Sequence, residues 1–293
     1  MAHRDRSEQA NARRAGAAAA GTAPATGFEF GFNSTDLARV QRLMFAFSSV
    51  TLRDQKESMV YNRLSRRLRA TGYPTFKAYL DWVEQPDNPE CEHFVNALTT
   101  NLTSFFREPH HFALMAERFT ARPQRGSLRV WCCACSTGQE AWSAAITLHQ
   151  IGLAADILAS DIDTEVLRTA AAGVYRADQT GGLDAQQVRR YFLRGTDDNE
   201  GMIRAGPVLR SMVKFQMHNL LAPGAGVSGR FDAIFCRNVA IYFDKPAQQI
   251  MLERLTAALA PGGLLFVGHS EMFPMGYPGL RPCGHTAYEK VAA

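Results

Sequence analysis

From Leu128 onward, short apolar runs and amphipathic stretches take turns, and this alternation limits what the chain can fold into more than any other feature. Leu128 to Cys133 reads as a strand, Ser136-Thr137-Gly138 as a turn and Gln139 to Gln150 as a helix. Ala155 to Ala159 forms a second strand ending in Ser160-Asp161-Ile162-Asp163, with a helix over Glu165 to Ala172. Val213 to Gln216 and Phe231 to Cys236 follow as strands. A helix over Pro246 to Ala260, a Pro261-Gly262-Gly263 turn, a strand over Leu264 to Gly268 and a short strand over Thr286 to Lys290 complete the run. Strands separated by helices predict an α/β fold: a mostly parallel sheet with helices on both faces. Only about 174–211 breaks the rhythm. Its glycines and the acidic run Asp197 to Gly201 predict a small inserted β-subdomain, with a helix over Ala185 to Tyr191 and a β-hairpin.

Upstream the period changes to that of helices. Ser34 or Thr35 is the expected N-cap of a helix carrying Leu37, Val40, Leu43, Met44 and Phe47. A second helix is expected over Asp54 to Ala70, with Val60, Leu64 and Leu68 on one stripe and Thr71-Gly72 as its stop. Phe76 to Val83 and Cys91 to Leu98 supply two more. The predicted organisation is a disordered Ala/Gly/Arg tail over 1–27, a helical domain with its linker over 28–121, and a catalytic domain over 122–293.

Composition narrows the function. With 46% apolar and 20% charged residues and a net charge of +4, the chain is globular, and no global charge points to nucleic acid. The longest apolar runs fall far short of the roughly 20 residues that a membrane span needs. Arg13-Arg14 with Ala17 to Ala20 makes a poor export signal, so a cytoplasmic monomer is expected. Six cysteines in 293 residues do not form a disulfide framework. Cys132-Cys133-Ala134-Cys135 has no partner pair at metal-ligand spacing, so small buried thiols are expected there and no metal.

Open α/β sheets bind ligands at the carboxyl ends of their strands, where strand order reverses. A dinucleotide site would need G-x-G-x-x-G after the first strand; only Gly138 stands there, which favours a nucleoside without a pyrophosphate, such as S-adenosylmethionine. The acidic end of the second strand suits ribose hydroxyls. Asp163 is the expected acceptor, and a helix-capping role is expected more of Asp161.

Five strings occur in order: Asn101-Leu102-Thr103-Ser104-Phe105-Phe106-Arg107-Glu108, Cys135-Ser136-Thr137-Gly138-Gln139-Glu140, Ala159-Ser160-Asp161-Ile162-Asp163, Phe231 to Val239 with Ile241-Tyr242-Phe243, and Gly268-His269-Ser270-Glu271. Together they resemble the chemotaxis receptor glutamate methyltransferases, the CheR family, from about Ser34 to Lys290. The resemblance implies a helical domain before a Rossmann-like S-adenosylmethionine methyltransferase sheet with a small β-subdomain. It also implies a cofactor site lined by Asn101, Thr103, Arg107, Glu140, Asp163, Asn219, Leu220, Arg237 and Asn238, with Asp163 on the ribose and Asn219 and Leu220 flanking the adenine. Two departures stand out. The family usually has Gly-Glu-Glu-Pro where this chain has Gly138-Gln139-Glu140-Ala141, and often glycine at the position of Ala134.

A glutamate side chain ordinarily titrates at about 4.3 and is already an anion at neutral pH, so methyl transfer to it needs positioning rather than a base. Arg107 and Tyr242 are the expected catalytic pair, holding the carboxylate in line. Lys56, Arg63, Arg66 and Arg67 fall within an arc of about 100° on the second helix, a basic face suited to steering acidic chemoreceptor helices. In some family members the insert docks a C-terminal receptor peptide, which a free strand edge could do here. Two competing readings are a nucleic-acid methyltransferase and a non-catalytic regulator that senses the cofactor. Against the first, Arg237-Asn238-Val239-Ala240 stands where amino-methylating enzymes carry an Asn/Asp-Pro-Pro-aromatic box.

Overall fold

The computed structural model describes residues 29–121, 126–222, 227–271 and 277–291; the tail expected over 1–27 lies outside the described residues. Four helices come first: α1 (Ser34–Ser48), α2 (Glu57–Thr71), α3 (Phe76–Val83) and α4 (Glu90–Leu98). The cap of α1 is Asn33 rather than Ser34 or Thr35. Its carboxamide oxygen accepts from the Thr35 and Asp36 amides, and Asp36 accepts in return from the Asn33 amide. This reciprocal arrangement satisfies amides that the helix itself cannot. A short 3-10 turn, Asp54–Lys56, precedes α2, and Gly72 at φ 78° ends it. The stripes Val40–Met44, Val60–Leu64–Leu68 and Phe76–Leu80 close on Phe94 and Leu98 in one core. Each such fully buried side chain contributes about 1.5–3 kcal/mol.

An irregular linker leads to α5 (His110–Thr120) and then the sheet. Its strands are β1 (Leu128–Cys133), β2 (Ala155–Asp161), β6 (Val213–Met217), β7 (Phe231–Cys236), β8 (Leu259–Val267), β9 (Leu280–Gly284) and β10 (Ala287–Lys290). They lie in the order β6-β2-β1-β7-β8-β10-β9. The first five are parallel, and β10 and β9 add antiparallel. The strand period of two divides the core cleanly. Val130, Cys132, Ala233, Phe235 and Phe266 pack with α5 and α6 (Gln139–Gln150), while Trp131, Cys133, Ile234, Cys236 and Val267 face α10 (Lys245–Ala258).

Two strands differ from the sequence expectation. β8 begins at Leu259 and runs through Pro261-Gly262-Gly263, and its pairing with β7 shifts register between Phe231 and Ala233. β9 carries Pro282 and Gly284, residues that weaken a central strand but are tolerated at a sheet edge.

Between α7 (Thr164–Ala172) and β6 lies the insert: β3 (Val174–Arg176), α8 (Ala185–Tyr191), β4 (Phe192–Arg194), β5 (Met202–Ala205) and α9 (Pro207–Met212). Its sheet has three antiparallel strands, β3-β5-β4, where a hairpin was expected. Phe105 of the linker packs edge-on against Tyr175 and Phe192, at 5.2 and 5.6 Å, and so fastens the insert to the linker.

Candidate active site

Parallel strands deliver their following loops to one edge of the sheet, and β1 sits where the strand order turns back. A cavity of about 490 Å³ opens at this edge, within the size range of small-molecule sites. The loops after β1, β2, β6 and β7 line it with Ser136, Asp161, Asn219, Leu220, Arg237, Asn238 and Tyr242, and α6 adds Glu140 from its first turn. The other walls come from the linker (Asn101, Thr103, Arg107) and from the helical domain (Val50, Thr51, Lys56, Met59). A bond from the Thr51 amide to the Tyr242 carbonyl, 2.9 Å, ties the two domains together at the rim.

The turn after β1 is tightly shaped. Ala134, Ser136 and Gly138 have φ of 62°, 51° and 95°. At Gly138 a Cβ would lie 2.9 Å from the Ala170 Cβ, so only glycine fits. Ala134 has no such relief; left-handed backbone costs a non-glycine residue roughly 1–2 kcal/mol, which explains why glycine suits that position. Bracing comes from the insert: the Tyr175 hydroxyl accepts from Trp142 Nε1 and donates to the Thr137 carbonyl, both at 2.7 Å.

The two acidic residues at the end of β2 are placed differently from the expectation: Asp163 is the helix cap and Asp161 the one at the cavity. Asp163 does not line the cavity and is only 1% exposed. Its Oδ1 caps α7 by accepting from the Glu165 and Val166 amides, and its Oδ2 accepts from Thr99 Oγ1 (2.6 Å) and Asn101 Nδ2 (2.8 Å). Asp161 lines the cavity instead, accepting from the Ser136 and Asp163 amides at 2.8 and 3.0 Å. Burial raises its pKa above the usual value, against the pull of those amides.

Arg237 organises the opposite wall. Its guanidinium pairs with Glu140 at 2.9 Å and Glu108 at 3.6 Å, donates to the Arg107 carbonyl and lies over the Phe112 ring. Burial raises the Glu140 pKa despite this cation. At Glu108 burial pushes upward too, but Arg237 and hydrogen bonds from His269 outweigh it and leave the pKa low. Arg107 itself donates Nη1–H to the Leu102 carbonyl and pairs with no carboxylate among the described residues.

Three residues outside the expected set hold these loops. Glu271 accepts from the amides of Gly268, Asn238 and Ala240 at 2.8, 2.6 and 2.6 Å. Arg254 of α10 donates to the Leu220 and Ala222 carbonyls at 3.0 and 2.9 Å. His218 forms part of the wall and stacks edge-on to Trp131. Of the expected basic face, Lys56, in the 3-10 turn before α2, lines the rim and Arg66 of α2 is exposed. Arg67, however, is paired with the buried Glu90, and Arg63 donates to the carbonyls of Ala97 and Thr99, so these two serve the helical core rather than a free surface.

The donor set fits an S-adenosyl ligand. Asp161 brings a carboxylate to the cavity for a diol, Leu220, Ile162 and Val239 offer an apolar slot, and the Nε of Arg237, buried in the wall, has no partner.

Two family models match the chain: the CheR methyltransferase all-alpha domain over 35–99 and the CheR methyltransferase SAM binding domain over 101–286. A chemotaxis protein methyltransferase of Salmonella typhimurium is 50% identical over 240 residues, 80% of this chain and 83% of that one. Chemotaxis protein methyltransferase 2 of Pseudomonas aeruginosa is 44% identical over 265 residues, 89% of this chain and 94% of that one. Among solved structures, PKMT2 from Rickettsia typhi in complex with AdoHcy aligns with a TM-score of 0.36 and 17% identity over 58% of this chain and 26% of that one. The chain belongs to the CheR methyltransferase family, with an S-adenosylmethionine-binding domain behind an all-helical one.

Proposed function

We propose that the chain transfers a methyl group to glutamate side chains of chemoreceptors, with Arg107 and Tyr242 orienting the acceptor carboxylate. It is an S-adenosylmethionine-dependent methyltransferase of chemotaxis, and when bound the cofactor supplies an electrophilic methyl carbon. The observation that carries the finer reading is the contrast between Arg237 and Arg107 in the cavity wall. Arg237 is neutralised by Glu140 and Glu108, whereas Arg107 forms no ion pair among the described residues and lies deeper in the cavity than the exposed Arg53 and Lys56, a cation left for an incoming anion. An ionised carboxylate needs no base. Arg107 would hold one oxygen by a charge-assisted bond and Tyr242 would hold the other. Asn101, Thr103, Glu140 and Arg237 would hold the methionine end of the cofactor, Asn219, Leu220 and Asn238 its base, and Asp161 the ribose.

Among the described residues no helix is long and apolar enough to cross a membrane. We place the enzyme's work in the cytoplasm as a monomer, with Lys56 and Arg66 steering acidic receptor helices. The outer strands of the insert would take a C-terminal receptor peptide by strand addition. The test is methyl transfer to a chemoreceptor cytoplasmic fragment. Label released as methanol at high pH is expected, since carboxyl esters hydrolyse in base and N-methyl groups do not. Arg107→Ala should lower kcat/KM by about 100-fold or more and Tyr242→Phe by about tenfold, in line with the loss of a charged and a neutral hydrogen bond. Full activity in both variants would remove the pair from the reaction.

A further inference from the structure

Two large apolar side chains stand at the cavity mouth in contact with water. Leu102 is 82% exposed and Ile241 39%, and both line the cavity. Single exposed leucines are common on protein surfaces, so the backbone beneath each one matters more than the exposure. Around Leu102 the chain is pinned. Asn101 Nδ2 donates to Asp163 at 2.8 Å, the Asn101 carbonyl accepts from the Ser136 hydroxyl at 3.0 Å, and the Leu102 carbonyl accepts from Arg107 at 3.0 Å. Ile241 sits in a 3-10 turn, Ala240–Tyr242, clamped by Glu271 on the Ala240 amide and by Thr51 on the Tyr242 carbonyl. These bonds fix the backbone that carries each apolar side chain at the mouth. Each loop presents polar groups to the cavity on either side of that residue: Asn101 and Thr103 in one, Asn238 and Tyr242 in the other.

The same rim is cationic. Arg53 and Lys56 are exposed and line it beside the half-buried Arg107. Such a mouth, apolar at two rigid points and positive between them, matches an acidic surface on which the reacting glutamate is flanked by apolar side chains. We propose that Leu102 and Ile241 are specificity-determining contacts for the acceptor protein: they bury apolar neighbours of the target glutamate on the chemoreceptor while Arg53 and Lys56 face its other carboxylates. This rests on the glutamate-methylating reading above.

The test is steady-state methyl transfer by Leu102→Ser, Ile241→Ser and the double variant, with a chemoreceptor cytoplasmic fragment as acceptor and calorimetric titration of S-adenosylhomocysteine alongside. From the apolar area at stake, KM for the fragment should rise about fivefold to tenfold in each single variant and more than about 30-fold in the double. The kcat should stay within about twofold and S-adenosylhomocysteine affinity should not change, and Leu102→Met should restore the parental KM. An unchanged KM in the double variant overturns the proposal, and so does a parallel loss of S-adenosylhomocysteine affinity, which would assign the residues to the cofactor. Absence of base-labile methylation by the parent enzyme would instead sink the glutamate reading on which it rests.

Discussion

An ionised carboxylate has about four lone-pair sites, and how many the fold already occupies decides whether it can take a ligand. At Asp163 all four are used, by two helix amides, a threonine hydroxyl and an asparagine amide. At Asp161 the donors are backbone amides alone, with no side chain of the fold among them, and the residue lines the cavity. Removing Asp161 as Asp161→Ala should therefore weaken S-adenosylhomocysteine binding by about 2–4 kcal/mol, the worth of one or two hydrogen bonds to a charged group. Asp163→Asn, which still caps α7 through its one oxygen, should bind within about twofold of the parent but melt at a lower temperature, because the Thr99 hydroxyl and the Asn101 amide both lose their acceptor. Calorimetry and thermal melts on the two variants check this; the reverse pattern would return the ribose to Asp163. Spacing could not separate the two residues. They lie two apart at the end of an extended strand, on one side of it, and only the point where α7 begins tells the cap from the ligand. The basic arc on α2 misled in a related way: a helical wheel places Arg63 and Arg67 beside Lys56 and Arg66, but it does not contain Glu90 or the carbonyls of Ala97 and Thr99 that claim them.

At the scale of elements, the site depends on a clamp between two strand exits. Glu271, beyond β8, gathers three amides of which two belong to the loop after β7 that carries Arg237, Asn238 and Tyr242. Its side chain is buried, and Gly268 beside it has no room for a Cβ, which would lie 2.4 Å from Asn238 Nδ2. Glu271→Gln keeps the size but sets an amide NH2 against an N–H donor. The β7 loop should loosen, S-adenosylhomocysteine affinity should fall about tenfold, as expected for one lost charge-assisted bond, and the Asn238 and Ala240 amides should exchange faster with deuterium. Parental affinity and exchange would mean that the loop holds its shape without the clamp. Elements with a clean pattern were legible in advance: β1, α6 and β7 end where apolar period and turn residues say they should. β9 was not, because this edge strand buries only its first residue, has no alternation to read and includes a proline. The clamp was invisible for a different reason. A glutamate 33 positions from its partner carries no local signal.

At the scale of the whole molecule, α5 is where linker, site wall and sheet meet, and its second residue reports on how firmly they are joined. His111 is fully buried, lies 5.1 Å from the Phe266 ring and has Nε2 2.9 Å from Thr286 Oγ1 in the β9–β10 turn. Burial lowers its pKa to about 4, with the charges of Arg237 and His110 acting in the same direction and Glu108 opposing them. In the unfolded chain the imidazole protonates near its ordinary value of about 6.5. Between that pH and about 4 the unfolded state binds a proton that the native state refuses, so stability drops as pH falls through the window and levels off below it. From pH 7 to pH 5 the loss should reach about 2 kcal/mol. Glu108 is shifted the other way: its low native pKa adds stability that is present above its unfolded value and lost only as pH falls below it. It therefore contributes little between pH 7 and 5. Urea unfolding of the parent and of His111→Asn at the two pH values isolates the histidine. The variant is less stable at pH 7, where it forfeits packing and the Thr286 contact, yet it should lose about 2 kcal/mol less than the parent on acidification. Equal losses in both proteins would mean that His111 takes up its proton without opening the junction between α5 and the sheet.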